Sequence, residues 1–209
     1  MPETQDKSGV ILHNSIRHAV KRVVFMPQRE VTVRAEMDSL YGGEYELVPA
    51  IQDLDRPWKG LSDTIKEIVR DNYKEPFIHI FEDDVLFTSK KSREVFEKNF
   101  EVLPDDWDIY LGGAYTFPEL YSTKMQGLIK MQRFSSLHCA VIRKSVYDLI
   151  LSHDATNKTA FHLDYFLSEN KVNAYLCDPT IAIQYPGYSF LQKKSVSYTN
   201  FESRMNILK

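Results

Sequence analysis

Phe77-Ile78-His79-Ile80-Phe81-Glu82-Asp83-Asp84-Val85-Leu86-Phe87 sets three consecutive carboxylates between two largely apolar runs. The first run reads as a buried strand, with the acidic triplet at its C-terminal end. In extended backbone, side chains at i and i+2 point the same way, so Glu82 and Asp84 converge. Carrying charge into an apolar stretch has a desolvation cost that needs compensation. Two like charges held together repel unless a cation neutralises them or one is protonated. Oxygen ligands suit Mg²⁺ or Mn²⁺, with water and substrate phosphates completing the coordination. A solvated acidic turn is the plainer alternative. If the metal reading holds, a pyrophosphate ester is the natural partner, because the ion makes the diphosphate a better leaving group. A nucleotide-sugar donor fits that chemistry.

Outward from this stretch the pattern alternates between strands and helices. Val23 to Met26 reads as a strand ended by Pro27, and residues 31–40 as a helix stopped by Gly42-Gly43. Residues 45–51 are a second strand and its exit, and 52–60 a loop. An amphipathic helix follows, with Leu61, Ile65, Ile68 and Val69 on one face and a Thr64/Glu67 capping box or a Ser62 cap at its start. The Leu61 stripe is read as core. Residues 89–101 form a helix, and Asp108 to Leu111 a strand closed by Gly112-Gly113. Residues 114–128 are expected to be irregular, with Pro118 to Gly127 as a loop or lid. Strands at 137–142, 173–177 and 181–183 and helices at 145–151 and 162–168 complete the chain. This order predicts an α/β fold with a mainly parallel sheet flanked by helices and a smaller mixed C-terminal part. Open α/β sheets bind ligands beyond the carboxyl ends of their strands, where the triplet sits. The 209 residues suit a single domain, with residues 20–113 as the nucleotide-sugar half and 114–209 as the acceptor half.

The net charge of -3 gives no global basic footprint for a polyanion, although Lys193, Lys194, Arg204 and Lys209 make the tail mildly basic. Cys139 and Cys177 lie outside any C-x-x-C pattern and read as buried apolar side chains in a reducing compartment. Met1 to Asp6 has neither a basic start nor an apolar stretch, and no run is long enough to span a bilayer. The expected location is therefore cytoplasmic, and the Asn157-Lys158-Thr159 sequon carries little weight.

Several segments, in order, resemble glycosyltransferase family 25, which includes lipooligosaccharide and collagen galactosyltransferases. They are Val23 to Met26, Arg34, Val48-Pro49-Ala50-Ile51, Gly60-Leu61-Ser62, Phe81 to Val85, Leu103 to Ile109, Leu137 to Ile142, Asp164, and Pro179 to Gln184. The chain departs from the family pattern at Asp63, where a histidine is usual, and at Leu61, where a cysteine is usual. The resemblance implies a GT-A-like, Rossmann-related fold. It also implies a UDP-sugar or similar donor, and inversion at the anomeric carbon.

On this reading Asp84 coordinates Mn²⁺ or Mg²⁺. Glu82 shares the metal or contacts the donor ribose, and Asp83 orients them. Asp164, placed by the resemblance, is the base that takes the acceptor proton; an N-cap of the short helix is its alternative. Arg29 and Arg34 are candidates for the donor phosphates, with Arg34 also readable as an ordinary helix-surface charge. Gly112 and Gly113 either let the backbone approach the sugar or form a plain turn. His162, His138 and Gln184 are weaker candidates, as are Trp58, Tyr115 and Tyr121 for stacking on sugar. The acceptor hydroxyl would sit on a glycan, a lipid-linked sugar, a protein or a modified nucleobase of DNA. Two rivals stand beside this reading. One is a metal-dependent phosphoesterase or nuclease drawing on Asp53, Asp55 and Asp108. The other is a non-catalytic sugar- or nucleotide-binding module.

Overall fold

Strand β3 (Phe77–Glu82) carries the acidic triplet at its end and organises the sheet around it. The computed structural model describes residues 15–114, 121–157, 159–189 and 194–196. On one side of β3 lies β1 (Val20–Phe25), followed by β2 (Glu46–Pro49), all three parallel. On the other side lies β8 (Cys139–Arg143), antiparallel to β3. Next come β5 (Ile109–Leu111) and β9 (Ala174–Cys177), parallel to each other. The hairpin β6 (Tyr121–Met125) and β7 (Leu128–Met131) closes that edge. The eight strands run in the order β2-β1-β3-β8-β5-β9-β7-β6. Within this sheet only β7 and β8 run against the rest, so its direction is mainly parallel, as expected. β8 comes from the expected acceptor half yet pairs with β3 and β5, so strands of both halves interleave in one sheet.

Alternation along the strands divides the core into two layers. Ile78 and Ile80 of β3 face α2 (Pro57–Asp71), α4 (Tyr147–Ser152) and α5 (Leu163–Glu169), packing with Ile65, Ile68, Tyr147 and Leu167. Phe77 and Phe81 face α1 (Glu30–Tyr41) and α3 (Ser92–Phe100), packing with Val33, Met37, Phe96 and Phe100. Each fully buried large apolar side chain contributes about 1.5–3 kcal/mol relative to an exposed one. α1 ends at Gly42, whose φ of 55° is the left-handed conformation that glycine adopts without a steric cost.

Several expectations are corrected. α2 begins at Pro57, not near Ser62, because proline fits the first helical turn where no N–H partner is needed. Thr64 is therefore mid-helix and caps nothing. Its Oγ1 donates to the Gly60 carbonyl and accepts from Ile51 N–H at 2.8 Å, tying α2 to the exit of β2. Gly60 allows that approach, since a Cβ there would collide with the Ile51 carbonyl. The stretch expected to be irregular contains β6 and β7. Their hairpin turns at Gly127 (φ 76°), and the short run around Leu128-Ile129 is buried in the sheet. Val85 to Phe87 is a separate strand, β4, paired antiparallel with β10 (Ala182–Gln184). A final hairpin, β11 (Gly187–Ser189) with β12 (Lys194–Val196), was not anticipated. The lead-in before residue 15, Tyr115, Pro118, Lys193, Arg204 and Lys209 lie outside the described residues, as does Lys158 of the sequon. Among the described residues no helix is long and apolar enough to cross a membrane.

Candidate functional site

A cavity of about 390 Å³ opens at the C-terminal ends of β1, β2 and β3. Its β2 side is largely apolar, formed by Ala50, Ile51, Leu54, Pro57 and Leu61, with Gln52 and Asp53 set among them. Its β3 side is charged, formed by Arg29, Glu82, Asp83 and Asp84. Leu61, read as plain core from the sequence, is thus also a wall of the cavity. Leu54 is 79% exposed, an apolar side chain at the mouth that a flat ring would cover.

The three carboxylates are held differently. Asp83 is bound back to β1: one oxygen accepts from Met26 N–H at 2.6 Å and the other from Arg29 at 2.9 Å. Burial raises its pKa, and these two donors oppose the rise. Asp84 accepts from the Gln184 side-chain amide at 2.9 Å through Oδ2, while its buried Oδ1 has no hydrogen-bond partner. Burial, with the Asp83 charge second, pushes Asp84 up to about 6. Glu82 is pushed well above the usual carboxylate range by burial and by the charges of Asp84 and Asp164. The Leu137 backbone opposes that rise, and the N–H of Glu82 donates to the His138 carbonyl at 3.1 Å.

Asp164 lies in the first turn of α5, beyond the His162 cap position, so it is not the N-cap. One of its oxygens accepts from Ser136 N–H at 2.6 Å and the other from Tyr165 N–H at 2.7 Å. Ser136 N–H therefore holds Asp164 where its charge acts on Glu82, which puts the late aspartate beside the triplet. Ser136 has a φ of 83°, a conformation rare for a residue with a side chain and common where a site holds backbone strain. Its hydroxyl meets His138 Nδ1 at 2.5 Å, and burial lowers His138 to about 4. No local pattern marks Ser136 in the sequence. Gln184 was visible only as a weak candidate, because its role depends on the β10–β4 pairing.

Arg29 reaches the site through a 3-10 turn after β1. It donates to Asp83 and to the Tyr188 carbonyl, and lies 4.0 Å from Asp84. Arg34 does not join the site. It is exposed on α1 and paired with Glu30 at 2.8 Å, one helical turn away, because the helix turns that position outward. Gly112 and Gly113 are buried and do not line the cavity. A Cβ on Gly112 would meet Cys139 and Ile181, and one on Gly113 would meet Ala182 and His138. Their smallness serves packing of β5 against β8 and the β10 segment.

The donor set suits a hard divalent cation. Asp84 offers a buried, unpartnered oxygen, and Glu82 is a carboxylate under electrostatic pressure from its neighbours. Among the described residues no three His, Cys, Asp or Glu side chains gather closely enough to form an all-protein cage. A Mg²⁺-type site built on one or two carboxylates plus substrate phosphates needs none. Of the carboxylates that a hydrolase site would recruit, Asp53 lines the same cavity, paired with Arg56 at 3.2 Å, whereas Asp108 lies at the opposite end of the sheet, accepting from Ser145 and from Asn173 N–H.

No protein-family model matches the chain, and no curated protein matches it. Solved structures do. A glycosyltransferase involved in the glycosylation of the major capsid of PBCV-1 matches at 7% identity and a TM-score of 0.50, over 90% of this chain and 99% of that one. A197 from STIV matches at 12% identity and a TM-score of 0.48, over 85% and 93% of the two chains. The first likeness shows that this chain has a glycosyltransferase-like, GT-A-type α/β fold.

Proposed function

We propose that this protein is a metal-dependent glycosyltransferase related to family 25, transferring a sugar from a nucleotide donor, by preference a UDP-sugar, to an acceptor hydroxyl. The observation that carries this reading is the two-sided cavity. An apolar wall for a nucleobase faces a carboxylate-rich strand end for a metal and diphosphate, at the strand ends where such folds bind nucleotides. Asp84 and Glu82 would hold Mn²⁺ or Mg²⁺, which supplies charge neutralisation of the diphosphate leaving group. Arg29 adds a fixed cation beside the same place, and Asp83 keeps Arg29 and the end of β1 in register with β3. Asp164, oriented by Ser136 N–H, takes the acceptor proton on the side opposite the departing phosphate, which gives inversion. The acceptor hydroxyl belongs to a glycan, a lipid-linked sugar, a protein or a modified nucleobase, and the working compartment is the cytoplasm.

The test is thermal stability of the purified protein with UDP-, GDP- and CDP-sugars, with and without Mn²⁺. A ligand that binds only the folded state raises its stability by mass action. A rise that needs Mn²⁺, selects one nucleotide and is lost in Asp84→Ala is the expected result. No rise with any donor, or one indifferent to metal and to Asp84, overturns the reading.

A further inference from the structure

Beside Asp164 lies a group of aromatic side chains that the donor cavity does not use. Trp58 follows Pro57 of the cavity wall on α2, and Phe161 and His162 precede Asp164 at the start of α5. The Trp58 ring lies 5.2 Å from Phe161 and 6.3 Å from His162, and the latter two lie 4.3 Å apart. All three are half-buried rather than sealed in the core, and Tyr165, on the other flank of Asp164, is 43% exposed. The indole is fixed in orientation, because its Nε1–H donates to the Ala155 carbonyl at 3.2 Å.

We infer that Trp58, Phe161 and His162 form the acceptor platform, and that the acceptor is a neutral sugar ring. This rests on the transferase reading above. Three properties point to that ligand. Partly exposed, pre-oriented rings offer apolar faces for the C–H face of a pyranose. The Asp164 carboxylate two residues on from His162, already oriented by Ser136 and Tyr165 N–H, has lone pairs left to accept from a hydroxyl at the ring edge. Among the described residues, the neighbouring cations Lys59 and Lys66 are engaged: Lys59 pairs with Asp63, and Lys66 donates to the His153 carbonyl. A nucleic-acid acceptor would call for a basic track along its phosphates beside the stacking rings. Here the rings stand beside the Asp164 carboxylate, and the lysines near them among the described residues are taken up by protein partners.

The chain has two tryptophans, and Trp107 is only 8% exposed. In a Trp107→Phe variant, emission therefore reports Trp58 alone. Titration with methyl hexopyranosides should change that emission saturably, whereas a serine-containing peptide and a single-stranded oligonucleotide should not. In the wild-type background the same signal should vanish in Trp58→Phe, which guards against a folding defect of the first variant. Once an acceptor is identified, His162→Ala should raise its KM about tenfold, the size expected for one ring contact. The donor- and Mn²⁺-dependent rise in Tm should be retained. If nucleotide-sugars stabilise the protein but no glycoside alters Trp58 emission, or if the peptide or oligonucleotide alone does, the platform is overturned and the transferase reading stands. If glycosides bind at Trp58 but no nucleotide-sugar binds anywhere, the rings are a sugar site, and their role as acceptor platform falls together with the transferase reading.

Discussion

Strand β3 buries polar groups in two places, and they meet burial in opposite ways. In its body, His79 is 1% exposed, packed between Phe81 and Phe96, with Lys21 and Arg93 as the charges that act on it. Burial pushes its pKa well down, so the ring is simply neutral and behaves as one more aromatic. At its end, Glu82 and Asp84 cannot be relieved so easily. Losing their charge means holding protons above the usual carboxylate range, and keeping it means repulsion at close quarters. Burial therefore yields a settled core in one region and, at the partly exposed strand end, electrostatic stress in the other. Stress of that kind in a cleft makes the strand end a candidate site.

The largest expected effect breaks the comparison at its stressed end. Asp84→Asn should lower transfer activity by about a hundredfold or more, the scale of losing several kcal/mol of metal-assisted charge stabilisation. The same change should stabilise the metal-free protein at pH 7 by about 1–3 kcal/mol, because a charge with a raised pKa is removed. Activity assays and thermal melts on one preparation decide it. A destabilised Asp84→Asn protein would mean that the triplet is not under stress.

A second prediction concerns pH. Asp84 binds its proton more tightly in the fold, with a value of about 6, than in the unfolded chain. In the metal-free protein its contribution to stability is thus present at low pH and is lost as pH rises through about 6. Mn²⁺ competes with that proton, so the Mn²⁺- and donor-dependent rise in Tm should be larger at pH 8 than at pH 5. An equal rise at both values would remove Asp84 from the ligand set.

The body of the strand should respond with the opposite sign. His79 is a base whose pKa is lowered, so its contribution is present above the ordinary histidine range and is lost as pH falls. His79→Leu should flatten the decline of Tm between pH 7 and pH 5 and leave donor binding intact, since the ring lies in the core and gives up only the 3.7 Å contact of Nε2 with Cys139 Sγ. The smallest effect is expected at Arg34. Its exposed pair with Glu30 is of the kind that contributes little, so Arg34→Ala should leave both stability and donor binding unchanged.

How far the sequence could be read differs from element to element, for physical reasons. β1, β3, α1 and the buried face of α2 were legible because apolar periodicity is local. The start of α2 was misjudged because Thr64 and Glu67 imitate a cap, while the structure uses Pro57 and spends the threonine on Ile51. β6 and β7 were missed because a short strand pair takes its stability from a distant partner, here β9. In the site, the triplet stood out because consecutive carboxylates between apolar runs are chemically unusual. Of the two readings of Arg34, the ordinary helix-surface charge is the one the structure agrees with, because family position alone does not say which way a helix faces.

Sequence by itself determined the alternation of strands and helices, the position of the triplet at a strand end, and the convergence of Glu82 with Asp84. All of these follow from backbone geometry acting over a few residues. Only the tertiary structure decided that Asp83 locks onto β1, and that Gln184 holds Asp84 from a strand a hundred residues away. It also decided that the Ser136 amide holds Asp164 close enough for its charge to act on Glu82. Those contacts join residues far apart in the chain, through hydrogen bonds that form only after the sheet has set its register.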